Sequence, residues 1–272
     1  MILSGDDLDE ITALKSFLDN QFKIKDLGTL NYFLGIEVAY SPTGLLLHHR
    51  KFIRDLLLEY KCDIVSPVVC PLDLFVKLQV DMGDPLSSPE SYRSLVGKLN
   101  FLTHTRPDLS FVVQHLSQYL QKLTHFHLQA ALHLLRYLKG SPDVGVFFNS
   151  SSDLSLTAFC DSDWAACPDT RRSVTGFCVI LGGSLISWKA KKQPVVSLSS
   201  AEAEYRSISK VMAELVWLVI HLLILALLCP FEFLLSVTIK VQSILLVTPS
   251  SMSGPSTSRW IVTSFGPSLE MV

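Results

Sequence analysis

Asp161 and Glu204 are the acidic residues of this chain whose positions best suit chemistry on a divalent cation. Apolar and polar residues alternate over residues 154–161, so Asp161 is predicted to lie at the end of a strand. Glu204 lies near the start of a helix that is predicted from about Ser199. Carboxylate oxygens are the ligands that magnesium prefers. Whether the two carboxylates can act together depends on the elements between them.

Glu202 competes with Glu204 for a metal role. Ser199 and Glu202 have the spacing of a capping box, in which the glutamate bonds back to the first amide groups of its own helix. That role would account for Glu202 and leave Glu204 for a metal ion. We therefore prefer Glu204 and keep Glu202 as the alternative.

The elements around the acidic pair are predicted to form a mixed sheet with helices packed on it. Patterns of period two predict further strands over residues 173–181 and 184–188, joined by a hairpin turn at Gly182 and Gly183. A fourth strand is predicted over residues 195–198, just before the helix. This half of the chain is predicted to be α/β.

Helices dominate the predictions upstream, because leucines recur at helical spacing between residues 92 and 139, and Gly140 marks a stop. The other upstream elements are a helix over 9–22, a strand over 30–38, a turn over 41–44, a returning strand over 45–48, a helix over 51–60 and a loop-rich connection over 62–89. The upstream part is therefore predicted to be α+β.

The composition indicates a reduced intracellular protein, nuclear or cytoplasmic. A chain of 272 residues can bury a sizeable core in one or two domains, and we expect two. Six cysteines without Cys-x-x-Cys spacing, and no basic leader, indicate neither disulfides nor structural zinc. A formal net charge of -2 weighs mildly against a nucleic-acid partner, although local basic patches can still bind one.

Five segments carry a more specific pattern: residues 26–37 (DLGTLNYFLGIE), 92–100 (YRSLVGKLN), 105–108 (TRPD), 136–140 (RYLKG) and 160–205. In this order they resemble the Pol polyprotein of copia-type retrotransposons, as found in plants.

The resemblance implies a domain organisation. Residues 1–80 would be the end of a reverse transcriptase palm, and residues 81–150 a helical thumb and connection region. Residues 151–218 would be the first half of a ribonuclease H-like domain, so the implied fold is a partial α+β palm followed by an incomplete mixed sheet with helices.

The resemblance also assigns roles in the reverse transcriptase part. The family's polymerase aspartates precede the residues that match the start of this chain, so Asp6 and Asp7 lie one segment too late and polymerase chemistry is not expected. Phe33, Leu34 and Gly35 resemble the primer-grip hairpin, which positions a nucleic-acid strand. A buried strand with a glycine bulge fits the same residues.

In the ribonuclease H-like half, the resemblance implies that Asp161 and Glu204 are catalytic ligands of magnesium. Two such ions, roughly 4 Å apart, hydrolyse the RNA strand of an RNA–DNA hybrid. The family supplies two more acids after the position of Trp217, whereas this chain offers only Glu232 and Glu270 there. We therefore expect an incomplete magnesium site, no small-molecule cofactor, and little or no nuclease activity.

The densest basic groups are Arg171, Arg172, Lys189, Lys191 and Lys192. By the resemblance they contact the phosphates of an RNA–DNA hybrid or of DNA, so that binding would weaken with salt. The solvated ends of a hairpin would account for the same residues.

The composition changes abruptly at residue 219. Only Glu232, Lys240, Arg259 and Glu270 are charged from there to the last residue. Codons for residues 237–244 and 252–265, read one base earlier, can spell the family's Cys-Asp-Asn and His-Ile-x-x-Asp motifs in order, so we interpret residues 219–272 as a frame-shifted tail. Residues 215–228 are apolar but fall short of the roughly 20 residues that span a bilayer. We do not expect a designed membrane helix there, although the stretch can still contact a membrane.

Three functions are consistent with these observations. The first is a retrotransposon remnant with partial folds and little activity, and the second is an active magnesium-dependent ribonuclease H. The third is a domesticated nucleic-acid-binding module or a membrane-attached protein. We favour the first, because the acid set is incomplete.

Overall fold

The computed structural model describes residues 2–3, 5, 7–73, 76–150 and 155–228, together with two short strands further on. Its elements are, in chain order, α1 (Leu8–Phe22), β1 (Tyr32–Phe33), β2 (Ile36–Ser41), β3 (Gly44–His48), α2 (Arg50–Glu59), α3 (Pro89–Leu102), a 3-10 turn (Pro107–Leu109), α4 (Ser110–Ser117), α5 (His125–Gly140), β4 (Val146–Asn149), β5 (Leu156–Asp163), β6 (Val174–Leu181), β7 (Ser184–Lys192), α6 (Ser200–Leu228), β8 (Lys240–Ser243) and β9 (Thr263–Ser264). The architecture combines helices with two sheets, which is compatible with the predicted α+β class.

The first sheet is antiparallel in the order β1-β2-β3-β4. The single strand predicted over residues 30–38 is wrong, because the chain reverses at Leu34 and Gly35, whose φ angles are 48° and 87°. Two consecutive residues with positive φ are typical of a tight hairpin turn. The fourth strand, β4, follows α5 in the chain, and its residue Asn149 lies opposite Gly44 of β3. No local pattern had predicted this pairing.

The second sheet has the strand order β7-β6-β5-β8-β9. The antiparallel meander β5-β6-β7 confirms the predicted strands, and β8 pairs with β5 in parallel, so that Cys160 lies opposite Ser243. The expectation of an incomplete sheet is therefore wrong at this edge, which β8 covers. Strand pairing uses backbone groups that every non-proline residue carries, so a segment of unrelated sequence can still cover an edge.

The strand predicted over residues 195–198 is also wrong, because this segment is an irregular connection between β7 and α6. Its polar residues are held by side chains rather than by a strand partner. The buried Gln193 amide donates to Thr175 Oγ1 and to the Ala203 carbonyl, both at 3.0 Å, and accepts from Ser197 Oγ at 3.0 Å. Side chains also bind backbone groups of the segment, because Trp164 Nε1 donates to the Ser197 carbonyl at 3.1 Å and the Leu198 N–H donates to Glu202 Oε2 at 2.8 Å.

Helix α6 packs across the second sheet through one face. The shared core of helix and sheet consists of Leu156, Ala158, Cys160, Val179, Val211, Leu215 and Val219. By length and composition alone, residues 200–225 of this helix could cross a bilayer, and a packed core helix passes the same test. The face buried on the sheet shows that at least the first part of α6 is such a core helix.

A larger core lies among the four helices α2, α3, α4 and α5, and Arg106 lies at its edge. Its side chain is fully buried, and it donates to both carboxylate oxygens of Asp108 at 2.9 and 2.7 Å. It also donates to the carbonyl and the hydroxyl of Ser141, and Tyr137 donates to Asp108 at 2.9 Å. Arg106 and Asp108 are thus hydrogen-bonded to the end of α5, which gives residues 105–108 a structural role.

Replacing Arg106 with leucine should lower the free energy of unfolding by about 3–5 kcal/mol, because it leaves Asp108 and the Ser141 carbonyl without their partner. The matched control is Arg206→Leu, which removes a half-exposed pair with Glu202 on one helix and should cost about 1 kcal/mol or less. Urea unfolding followed by circular dichroism measures both. Equal losses in the two variants would contradict the assigned role.

The ion pair also predicts a pH dependence. Burial alone raises the pKa of Asp108, but bonds from Arg106 and Tyr137 outweigh it and hold the pKa below its usual 3.8. A lowered pKa in the folded state contributes stability above the unfolded pKa, and that contribution is lost as the pH falls through the folded value. The difference in unfolding free energy between wild type and Asp108→Asn should therefore shrink below about pH 4. A difference that stays constant from pH 7 to pH 3 would refute this account.

Candidate functional site

Glu204 joins α6 to the end of β5. Its carboxylate is 8% exposed, and Oε1 accepts the backbone N–H of Ser162 at 3.1 Å. One turn later along α6, the buried Ser207 hydroxyl donates to the Asp161 carbonyl at 2.9 Å. The Asp161 side chain itself is exposed at this strand end. The structure therefore brings the two predicted ligands to the same corner of the sheet.

The corner is acidic, and the charges influence one another. The pKa of the Cys160 thiol is raised to about 11, mainly by burial and also by the carboxylates of Glu204 and Asp161, which together outweigh the lowering by a hydrogen bond with Ser207. Burial also raises the pKa of Asp163, and Asp161 adds to this effect. Asp163 is the last residue of β5, two positions after Asp161, and residues i and i+2 of a strand share a face.

Glu202 is engaged elsewhere, as the capping pattern predicted. The Glu202 backbone N–H donates to Ser199 Oγ at 3.1 Å, and its carboxylate accepts the N–H of Leu198 at 2.8 Å. Arg206 binds the same carboxylate at 2.7 Å, and this bond, with that from Leu198, lowers the pKa of Glu202. Glu202 therefore closes the start of α6, and Glu204 is the glutamate that faces β5.

Among the described residues, the donors at this corner do not fit two magnesium ions. Magnesium demands nearly octahedral oxygen coordination. Asp161 and Glu204 supply two carboxylates, and one oxygen of Glu204 already accepts an amide N–H. Within the described ranges, no group of three or more His, Cys, Asp or Glu side chains could hold a metal ion. Glu232 and Glu270 lie outside the described residues.

The predicted basic residues lie at the same end of the sheet as the acids. Lys192 on β7 lies opposite Val174 on β6, and Val174 in turn lies opposite Asp163 on β5. Arg171, Arg172 and Lys191 are exposed. Lys192 Nζ donates to the Cys167 sulfur at 3.2 Å, so this lysine is partly used inside the fold. Cations and carboxylates thus lie near the same end of the sheet, and Arg171, Arg172 and Lys191 are exposed there.

The predicted primer-grip residues form the tip of the β1–β2 hairpin. Leu34 is 73% exposed, so the alternative of a buried strand with a glycine bulge is wrong. A Cβ added to Gly35 would lie 3.2 Å from the ring of Phe101, and its φ of 87° disfavours any side chain. The turn is therefore seated on α3, and Leu34 projects from it. The role of Phe33, Leu34 and Gly35 in binding a strand stays a prediction.

Comparisons with known proteins place this chain among transposon proteins. It is 42% identical over 221 residues to the retrovirus-related Pol polyprotein from transposon RE1 of Arabidopsis thaliana, covering 80% of this chain and 15% of the relative. It is 40% identical to an uncharacterized mitochondrial protein of the same plant, covering 80% of this chain and 90% of that protein. It is 33% identical to the Pol polyprotein from transposon TNT 1-94 of Nicotiana tabacum, covering 80% of this chain and 17% of the relative. No family model and no solved structure matches.

These similarities define a retrotransposon-derived protein. The chain belongs to the family of Pol polyproteins of copia-type retrotransposons. It spans less than a fifth of the length of the Pol polyproteins that it matches.

The contact between Glu204 and Ser162 can be tested through the buried thiol of Cys160. Glu204→Ala removes the acceptor and should loosen α6 from β5, so that iodoacetamide labels Cys160 faster than in the wild type. Glu204→Gln keeps an oxygen for the Ser162 N–H and should protect the thiol. Peptide mass spectrometry gives the labelling rate, with the exposed Cys70 as the internal standard. Equal protection of Cys160 in both variants would show that the contact does not hold the helix.

Proposed function

We propose that this chain is a remnant of a copia-type Pol polyprotein that keeps a nucleic-acid-binding surface and has lost its hydrolytic chemistry. Its upstream part corresponds to the end of a reverse transcriptase, and residues 151–218 correspond to the first half of a ribonuclease H. The family membership supports the assignment of parts.

The observation that carries this proposal is the number of carboxylates at the corner of the second sheet. Hydrolysis by two metal ions needs one ion to activate water and another to stabilise the leaving oxygen, about 4 Å apart. Asp161 and Glu204 converge there, and Asp163 adds charge without completing a ligand set. Half of such a site can attract a cation loosely, but it cannot hold two ions at the separation that the reaction needs.

Binding does not depend on those missing acids. The exposed Arg171, Arg172 and Lys191 lie beside the acidic corner, where they would meet the phosphates of an RNA–DNA hybrid. Contacts of this kind are independent of sequence and weaken as salt rises, because each one releases counterions from the nucleic acid. The exposed hairpin tip at Leu34 would contact a strand upstream. Neither surface requires a metal ion.

An RNA–DNA hybrid with a labelled RNA strand tests both halves of the proposal. The purified chain with magnesium should bind the hybrid but cleave it no faster than Asp161→Asn does, because the wild type already lacks the further carboxylates that a two-metal site needs. An active ribonuclease H serves as the positive control for the substrate. Cleavage well above background that is lost in Asp161→Asn would overturn the proposed inactivity. Failure to bind the hybrid at low salt would overturn the proposed binding surface.

The frame-shift hypothesis offers a matched gain-of-function experiment. If one base was gained or lost near codon 219, a compensating single-base change there should restore the Cys-Asp-Asn motif and with it hybrid cleavage. Asp161→Asn in the repaired chain should abolish that cleavage again. A gene sequence whose codons for residues 237–244 cannot encode Cys-Asp-Asn one base earlier would refute the hypothesis.

A further inference from the structure

A thiol and an amine are in contact between the β5–β6 loop and the end of β7. Cys167 of the loop is 5% exposed, and Lys192, the last residue of β7, donates from Nζ to the Cys167 sulfur at 3.2 Å. The two residues belong to different elements, so the folding of the sheet brings them together. A nucleophilic sulfur and a nucleophilic nitrogen therefore share one nearly buried position.

Three donors converge on the Cys167 sulfur. Besides Lys192, the side chain and the backbone N–H of Thr170 bond to it. A neutral thiol is only a weak acceptor, so three donors at one sulfur are suited to a thiolate. Burial alone raises the pKa of this thiol, but the bonds from Thr170 and Lys192 outweigh burial and hold the pKa below its usual 9.0.

Three other thiols of the described residues have the opposite character. Burial raises the pKa of Cys62, Cys160 and Cys178, so each is kept as a neutral thiol. The thiolate is the form that attacks an oxidant. Cys167 is therefore the thiol that a peroxide should oxidise ahead of these three, which serve as comparisons within the same molecule.

The loop holds the sulfur in this position through its own backbone. The Cys167 N–H donates to the Arg172 carbonyl at 3.1 Å, and the Cys167 carbonyl accepts the N–H of Arg171 at 2.8 Å. Arg171 has a φ of 54°, which is uncommon for a residue other than glycine. Backbone strain of this kind persists only where the surroundings impose it. The loop conformation thus presents the thiol to Lys192.

We propose that Cys167 and Lys192 form an oxidative crosslink, a covalent sulfur–nitrogen bond that joins the β5–β6 loop to β7. The oxidant is hydrogen peroxide, which is small enough to approach a nearly buried sulfur that bulky thiols cannot reach. A nucleophile held in contact with its target reacts faster than one that must diffuse to it. This inference goes beyond the proposed function and does not depend on the binding of nucleic acid.

The chemistry takes two steps. The thiolate sulfur attacks one oxygen of the peroxide, the O–O bond breaks, and a sulfenic acid and a hydroxide ion form. The Lys192 ammonium gives one proton to that hydroxide, and the nitrogen lone pair then attacks the sulfur. The S–O bond breaks, and the leaving hydroxide takes a second proton from the nitrogen to form water. Sulfur loses two electrons and the peroxide gains them, so the linked product is lighter than the thiol and amine by two hydrogen atoms.

The crosslink would change the surface around it. It converts the Lys192 ammonium into a neutral nitrogen, and it fastens the loop that carries the exposed Arg171 and Arg172. Peroxide would therefore lower the positive charge at this end of the sheet and restrain the two arginines at the same time.

Peptide mass spectrometry of the full chain tests the crosslink. The chain is treated with hydrogen peroxide and digested with a protease that cleaves after aromatic residues, and fragmentation of the peptides locates the bond. We expect one linked species that joins Cys167 to Lys192, is lighter by two hydrogen atoms and is lost on treatment with dithiothreitol. At the same dose Cys62, Cys160 and Cys178 should stay reduced. Cys167 oxidised only to an unlinked acid, or a link that keeps an oxygen atom, would overturn the inference.

Two lysine substitutions form a matched pair. Lys192→Arg keeps a cation beside the sulfur, but its guanidinium stays protonated and is no nucleophile, so the link should be lost and dimedone should trap the sulfenic acid. Lys191→Arg changes the neighbouring exposed lysine and should leave the link unchanged. A link that survives in Lys192→Arg, or that is lost in Lys191→Arg with an unchanged circular dichroism spectrum, would contradict the assignment. The peptides of the wild-type chain decide the question without either variant.

Discussion

The packing of α6 across β5 is the constraint on which the candidate site depends. A nearly buried carboxylate, Glu204, accepts an amide N–H at the strand end, and Ser207 donates to the neighbouring carbonyl one turn later. Burying a carboxylate is costly unless hydrogen bonds compensate it. The bond that stabilises Glu204 in the fold uses one lone pair of the carboxylate that is predicted to bind a metal ion. The side chain therefore has a structural role that does not depend on a metal ion.

Fold and chemistry can be lost separately in a protein of this kind. The meander β5-β6-β7 and its helix need only apolar alternation and a few polar bonds, all of which this chain retains. A two-metal site needs several carboxylates at fixed positions, and a fold can persist without them. Backbone pairing of β8 with β5 covers the sheet edge without restoring those ligands. The retrotransposon family relationship and the proposed lack of activity are thus compatible.

Much of the second sheet could be predicted from sequence, because its signals are local. Alternation over β5, the Gly182–Gly183 turn and the Ser199–Glu202 cap all lie within short windows. The pairing of β4 with β3 could not be predicted, since a hundred residues separate Gly44 from Asn149 and no local pattern encodes that contact. The hairpin at Leu34 was missed because leucine rarely adopts positive φ.

The number of metal ions bound beside Asp161 and Glu204 tests the central claim most directly. Crystals of the full chain soaked in manganese, with diffraction collected at the manganese absorption edge, would show each bound ion as an anomalous peak. The account predicts at most one weak peak at this corner, since the carboxylates present cannot hold a pair. Two strong peaks about 4 Å apart, coordinated by Asp161, Glu204 and further acids, would contradict it.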